Sequence, residues 1–351
     1  MRVLVTGGIG FIGTNLSDRL LRDGHEVVLF DNISRAGVQQ NLDWLKTQHR
    51  NRLRFVEGDV RDSSAVETAM KGADTVCHLA AQVAVTTSVV DPREDFSINA
   101  QGTVNVLEAA RQQNPMPVVL YTSTNKVYGG LEHVRVVERA SRYEFEDLTN
   151  GVAEDCPLDF HSPYGCSKGA ADQYVRDYHR IYGLPSIVFR MSCIYGPHQF
   201  GNEDQGWVAH FALTALAGGR LTIYGNGKQV RDVLYVEDLV ELMLRAVAQK
   251  QRSAGQIYNV GGGPTHTISI WVEFRELLSK LVGRLPAVDH GEFRPGDQSI
   301  YVSDIRKVQA QFGWSPRVGL TEGLSRMIDE WGTAGVSARL GIAAGERSTL
   351  S

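Results

Sequence analysis

The stretch that most narrows the fold is Thr6-Gly7-Gly8-Ile9-Gly10-Phe11-Ile12-Gly13, set between an apolar run and a helical pattern. Arg2-Val3-Leu4-Val5 reads as a short strand, and Leu16, Leu20 and Leu21 follow the glycines at helical spacing. Strand, glycine turn and helix in that order let the backbone approach a pyrophosphate. The helix N-terminus then supplies N–H donors and a positive dipole end. Gly7, Gly10, Phe11, Ile12 and Gly13 are expected to line that ligand, against the plainer reading of a packing-only turn. A second strand, Glu26-Val27-Val28-Leu29-Phe30, weighs against the plain reading because it ends at Asp31. An acid near this separation can bond an adenosine ribose diol.

A carboxylate at Asp31 repels a 2′-phosphate and so favours NAD, while nearby Arg35 keeps NADP open. The pattern repeats: Leu53–Val56 ends at Glu57-Gly58-Asp59-Val60, and Asp74–Leu79 ends at Ala80-Ala81-Gln82. Strands ending in small or polar residues and alternating with helices predict an α/β fold with a Rossmann-type, doubly wound parallel sheet. Ligands of such sheets lie beyond the strands' carboxyl ends. Asp59 and Val60 are therefore candidates for the adenine pocket, and Leu79, Ala80 and Gln82 for the surface under the cofactor. Strand-end packing explains each equally well. His78, flanked by apolar residues, reads as a core histidine.

With 351 residues the chain can form one large domain or two packed ones. Its formal charge of −4, without a long basic block, gives no electrostatic footprint for nucleic acid. The four cysteines lack metal-ligand spacing. No apolar run approaches the roughly 20 residues of a membrane span, and no signal-like region precedes the first strand. A cytoplasmic protein with reduced thiols, binding neither membrane nor metal, is the expectation.

In the middle of the chain a helix is predicted from about Asp91 to Gln113, with Asn99 among its apolar positions and needing a partner. The strand Pro117–Tyr121 then emerges into Thr122-Ser123-Thr124-Asn125-Lys126-Val127-Tyr128-Gly129. Hydroxyls at a strand's carboxyl end suit a substrate hydroxyl, although an ordinary Ser/Thr turn has the same look. The long connection from Gly130 to Ser162 carries Tyr143, Phe145, Leu148 and Phe160, so it is expected to pack as a partial lid. Pro163 opens a helix on which Tyr164 and Lys168 stand one turn apart. Alone, such a pair arises often by chance.

Together, the glycine turn, Thr122–Gly129 and Tyr164-x-x-x-Lys168 resemble the extended short-chain dehydrogenase/reductase family. Thr124–Gly129, Leu158–Tyr174, Gln199-Phe200 and Asp204-Gln205-Gly206-Trp207 resemble its CDP-tyvelose (CDP-paratose) 2-epimerases. The resemblance spans roughly residues 2 to 332 and implies an NAD-dependent nucleotide-sugar epimerase. A sugar C–H beside a hydroxyl has no useful acidity, so inversion runs through a ketone and re-reduction on the other face. Tyr164 is then the base. Lowering a phenol from about 10 to about 7 takes about 4 kcal/mol, and a cation within about 4–6 Å, here Lys168, can supply most of it.

The resemblance also implies that Lys168 bonds the nicotinamide ribose and Thr124 the substrate oxygen. It adds Asn32, Ser34, Ala81, Asn99, Thr122 and Met191 to the cofactor contacts. To the substrate it assigns Gln82, Asn125, Lys126, Cys193, Gln199, Gln205, Val230 and Asp297, with Arg231 and Arg294 on the diphosphate. Related dehydratases carry an acidic pair after the threonine and related decarboxylases a carboxylate there; this chain has Asn125 and Lys126. His198 stands where an arginine usually precedes the Gln-Phe pair, which leaves the nucleotide open. CDP is favoured over UDP or GDP. Cys193 reads as packing, not as a nucleophile.

Residues 1–190, with segments near 233–262 returning to them, are expected to form the NAD domain. Residues 191–332 mainly form a substrate domain, and 333–351 a flexible tail. The resemblance further implies a homodimer through helices near 91–113 and 163–182, or a tetramer built from it. A 4-epimerase or another oxidation-initiated sugar enzyme is the alternative reaction, and a non-catalytic NAD sensor the alternative class. A sensor has no need of the Thr124–Tyr164–Lys168 set.

Overall fold

The computed structural model describes residues 1–49, 52–294 and 297–339. Its strands, in chain order, are β1 (Arg2–Thr6), β2 (Glu26–Asp31), β3 (Leu53–Glu57), β4 (Thr75–His78), β5 (Val118–Thr124), β6 (Val136–Glu138), β7 (Tyr143–Phe145) and β8 (Ser186–Met191). They continue with β9 (Cys193–Tyr195), β10 (Arg220–Tyr224), β11 (Val230–Tyr235), β12 (Ile257–Val260), β13 (Thr267–Ser269), β14 (Ala287–Gly291) and β15 (Ile300–Tyr301).

Seven strands form a parallel sheet in the order β12-β8-β5-β4-β1-β2-β3. The order reverses between β1 and β4, which opens a crevice at the carboxyl ends. Register aligns those ends: Thr6 pairs with Phe30 and His78, and Thr124 with Met191. Both faces of the inner strands are buried, so these are mostly apolar, and successive residues alternate sides. Val3 and Val5 join a core with helices Phe11–Arg22, Val38–Gln48 and Val236–Ala248. Leu4 joins the opposite core with Ser63–Met70, Gly102–Arg111 and Ser162–Tyr182.

The single helix expected from about Asp91 to Gln113 is instead Pro92–Phe96, a π-turn Ser97–Gln101, and the helix Gly102–Arg111. A π-turn inserts a residue and rotates the helix face, here where Asn99 meets the sheet end. The connection after β5 holds the antiparallel β6–β7 hairpin. It is tied down rather than free: Tyr143 N donates to Lys228 O at 3.0 Å, and Arg142 pairs with Glu273 at 3.0 Å.

β11 centres a smaller sheet, parallel to β9 and β15 and antiparallel to β13, while β10 and β14 pair alongside. Phe211, Trp271, Phe274, Leu324, Met327 and Trp331 fill its core. Val233–Tyr235 therefore belong to this sheet, and the chain rejoins the seven-stranded one from Val236 onward. The last helix runs Leu320–Arg339, so 333–339 are helical where a flexible tail was expected. The stripe Leu324, Met327 and Trp331 anchors that helix, and extending a formed helix costs little. Residues 340–351 of the expected tail lie outside the described residues. Among the described residues no helix is long and apolar enough to cross a membrane.

Candidate active site

The glycine turn is shaped for a dinucleotide. Gly7 has φ 67°, and a Cβ there would sit 2.7 Å from the Ala80 nitrogen; one on Gly13 would run into the Gly7 carbonyl. Gly10 caps the helix Phe11–Arg22 without a side-chain bond, and its first turn holds no acid. First-turn amides thus face outward with a positive dipole end, as a pyrophosphate requires. Asp31 accepts from Ile33 N at 3.0 Å and Ile9 N at 3.4 Å, which sets its carboxylate beside the turn, and burial pushes its pKa up. Asn32 donates to Asp59 at 2.9 Å and accepts from Ser34 N at 3.1 Å. Hydrogen bonds from Arg61 hold Asp59 down to about 2. Arg35 reaches the Phe200 carbonyl at 3.4 Å.

Along the crevice, Ala80 N donates to Thr6 Oγ1 at 3.3 Å, with half-buried Leu79 and Ala81 either side of it. Val60 is buried in the sheet's core. Gln82 is occupied within the protein: its side chain donates to Asp95 and to Ala84 O, each at 2.9 Å. Asn99 finds the partners it needs in Gln82, Asp95 and Ser167. His78, bonded to Thr6 at 2.7 Å and Thr103 at 3.0 Å, is held neutral by burial, with its pKa pushed down to about 3.

The end of β5 meets the helix Ser162–Tyr182. The Tyr164 phenol faces the Thr124 hydroxyl, and Lys168 Nζ donates to the Thr122 carbonyl at 2.6 Å. Lys168 also stands 4.3 Å above the Tyr121 ring. The expected depression of the phenol by Lys168 is not what the structure shows. Burial pushes Tyr164 up to about 12; the neighbouring Thr124 hydroxyl opposes this and the Asp95 charge adds to it. Burial likewise pushes Lys168 down to about 7, against the pull of Asp172 and Asp95. Desolvation in this dry pocket outweighs the pairwise attraction.

Next to these, Thr124 Oγ1 donates to Asn125 Oδ1 at 3.3 Å and accepts from Lys126 N at 3.2 Å. One Asp297 oxygen holds two cations, Arg231 at 2.7 Å and Lys126 at 3.5 Å. Burial pushes Lys126 down, and Asp297 pulls it back. Cys193 is raised by burial, so it packs here and is no thiolate. Arg294 lies 3.8 Å over the Tyr224 ring and 3.7 Å from Glu203 and Asp204. The side-chain carbonyls of Gln199 and Gln205 and the Ser123 hydroxyl are buried without a hydrogen-bond partner, which suits a polar ligand. Met191 sits beside Thr124.

Val230 and His198 are placed differently from the charged residues of this cluster. The Val230 side chain is buried with Ile300 and Val302, because strand alternation turns it away from Arg231's face. Only its carbonyl, which accepts from Arg231 at 2.8 Å, is near the cluster. His198, at the position an arginine usually holds, packs 4.2 Å from the Trp44 ring and 3.6 Å from Glu330. Sequence reading also missed Asp95 and the buried Asp172–Arg190 pair, 2.9 Å apart. Asp95 carries no motif, whereas Asp172 could have been found one turn beyond Lys168.

A dinucleotide-binding enzyme with a Tyr/Lys pair is the class this site defines. Residues 4–327 match the family model described as GDP-mannose 4,6 dehydratase. CDP-paratose 2-epimerase of Salmonella typhi is 44% identical, over 94% of this chain and 98% of its own. UDP-glucose 4-epimerase of Mycolicibacterium smegmatis is 34% identical, over 94% and 98%. The crystal structure of Thermus thermophilus UDP-glucose 4-epimerase in complex with NAD superposes with a TM-score of 0.78 at 34% identity, covering 94% of this chain and 99% of that one. The chain belongs to the extended short-chain dehydrogenase/reductase family of NAD-dependent epimerases and dehydratases, and it is an enzyme.

Proposed function

We propose that this enzyme is a nucleotide-sugar epimerase that inverts C2 of a CDP-3,6-dideoxyhexose or a close relative. The observation that carries the reading is the meeting of Thr124, Tyr164 and Lys168 at one strand end, followed by Asn125 and Lys126. A carboxylate there would serve elimination; an amide and an ammonium serve oxygen binding. The similarity to CDP-paratose 2-epimerase supports C2 and CDP.

NAD, when bound, supplies the hydride acceptor and donor. Gly7, Gly10 and Gly13 would hold its pyrophosphate and Asp31 its adenosine ribose. Tyr164 takes the proton of the substrate hydroxyl and gives it back. Thr124 fixes that oxygen, and Lys168 keeps positive charge beside the phenol. Arg231, steadied by Asp297, and Arg294, stacked on Tyr224, are placed for a diphosphate. The ketone is reduced on its other face after it turns within the pocket.

Residues 1–190 with 236–262 form the NAD-binding part, and the β11 sheet the substrate part. Val90, Phe96, Ile181 and Tyr182 are exposed on the helices flanking the site and support a homodimer. Turnover assays on a panel of CDP-, UDP- and GDP-sugars test the reading, with NAD release on denaturation as companion. Inversion of a CDP-sugar at C2 supports it. Inversion at C4 of a UDP-sugar would replace it with the 4-epimerase reading, and bound NAD without turnover would point to a sensor.

A further inference from the structure

Asp95 is 1% exposed, and no cation lies within ion-pair distance of it among the described residues. Buried carboxylates without a paired cation are rare and costly. Neutral donors hold this one: Gln82 Nε2 at 2.9 Å, Asn99 Nδ2 at 3.1 Å and the Ser167 hydroxyl. Ser167 is the residue before Lys168, and its hydroxyl also meets the Tyr164 carbonyl at 3.2 Å. Asn99 sits on the π-turn, which rotates it toward the sheet end to reach Asp95 and Ser167 together. Asp95 thus ties the short helix Pro92–Phe96, the π-turn and the turn that bears the Tyr/Lys pair.

We propose that Asp95 is a positioning residue of this site: its bond to Ser167 fixes the Tyr164–Lys168 turn, and its buried carboxylate is a second counter-charge, beside Asp172, that favours Lys168 as an ammonium. The inference rests on the reading of Tyr164 and Lys168 as the working pair. The other groups facing Lys168 are Asp172 and Tyr164 on its own helix, the Tyr121 ring on β5 and neutral His78 on β4. Asp172 pulls on Lys168 more strongly than Asp95 does, and it is itself paired with Arg190 in a two-pronged bond. Asp95 is therefore the carboxylate whose charge is not spent on another cation.

The sign follows from electrostatics. A carboxylate favours the protonated amine, so its loss lets burial push the lysine lower. The same charge resists formation of the phenolate, so Tyr164 keeps its proton longer while Asp95 is present. One residue thereby biases both members of the pair toward their protonated forms.

The test follows the Lys168 Cε and Nζ resonances against pH in full-length, lysine-labelled protein, with Lys168→Arg to assign them. Asp95→Asn is expected to lower the Lys168 midpoint by about one pH unit. Ser167→Ala, which keeps the carboxylate but loosens it, is expected to lower it by less, and Asp95→Glu to restore it. A midpoint matching the wild type in either soluble variant, Asp95→Asn or Ser167→Ala, overturns the proposal. A merely structural role would reduce thermal stability and leave the midpoint in place. Because the titration needs no substrate, a wild type silent on every nucleotide sugar would refute the proposed reaction and leave this result standing.

Discussion

Replacing Asp172 by Ala exposes how the helix bearing Tyr164 and Lys168 is held. Arg190 and Asp172 are 2% and 0% exposed, and two N–H···O bonds of 2.9 Å join them. Arg190 also donates to Tyr128 at 3.0 Å, and Tyr128 to Asn259 at 2.7 Å, so the pair links the helix to β8 and β12. Removing the carboxylate leaves a desolvated guanidinium with a phenol as its main partner. Breaking a buried pair in this way costs about 3–5 kcal/mol, a large share of a typical stability of about 5–15 kcal/mol. Urea unfolding of the wild type, Asp172→Ala and the double variant Asp172→Leu/Arg190→Met measures it. The double variant, which buries no charge, should lie closer to the wild type than the single one does. A loss below about 1 kcal/mol for Asp172→Ala, or a double variant as unstable as the single, would refute the reasoning.

Tyr164→Phe should reduce turnover by about 10²–10⁴-fold or more while NAD still co-purifies, as read by release on denaturation. Gly13→Ala should abolish that co-purification, because its Cβ meets the Gly7 carbonyl and forces the pyrophosphate turn open. Lys126→Met should raise KM for the nucleotide sugar about tenfold or more, with a smaller effect on kcat, the loss expected for a charged hydrogen bond. Burial pushes Lys168 down to about 7 against an ordinary value of 10.5. Below about pH 7 folding carries the full cost of burying that charge, on the order of 5 kcal/mol. The cost shrinks as pH rises and is gone above the ordinary lysine range. Stability relative to Lys168→Met should therefore rise from pH 7 to pH 10; a flat or falling difference in denaturant midpoints would contradict it.

Local chemistry made much of the site legible. Gly7 and Gly13 announce themselves because a side chain at either would collide with neighbouring backbone, and Asp31 follows at the end of the next strand. Thr124, Tyr164 and Lys168 could be placed because strand ends and helix turns impose fixed spacings. The rest depends on what only folding brings together. Asp95 lies on a five-residue helix and meets Ser167 across 72 positions. The π-turn at Ser97–Gln101 has no propensity signature, so one continuous helix was the natural expectation. His198 faces Trp44 and Val230 faces Ile300 because of loop direction and strand parity, neither of which a one-dimensional likeness conveys. The raised phenol of Tyr164 came from burial, a quantity invisible until the chain is packed.

Transient oxidation is tested most directly by running the reaction in D₂O and reading the product by NMR. Hydride that leaves a carbon and returns to it never meets solvent. The account predicts that CDP-3,6-dideoxyhexose is inverted at C2 with protium retained there. Deuterium at the inverted carbon, or no inversion of any nucleotide sugar offered, would contradict it.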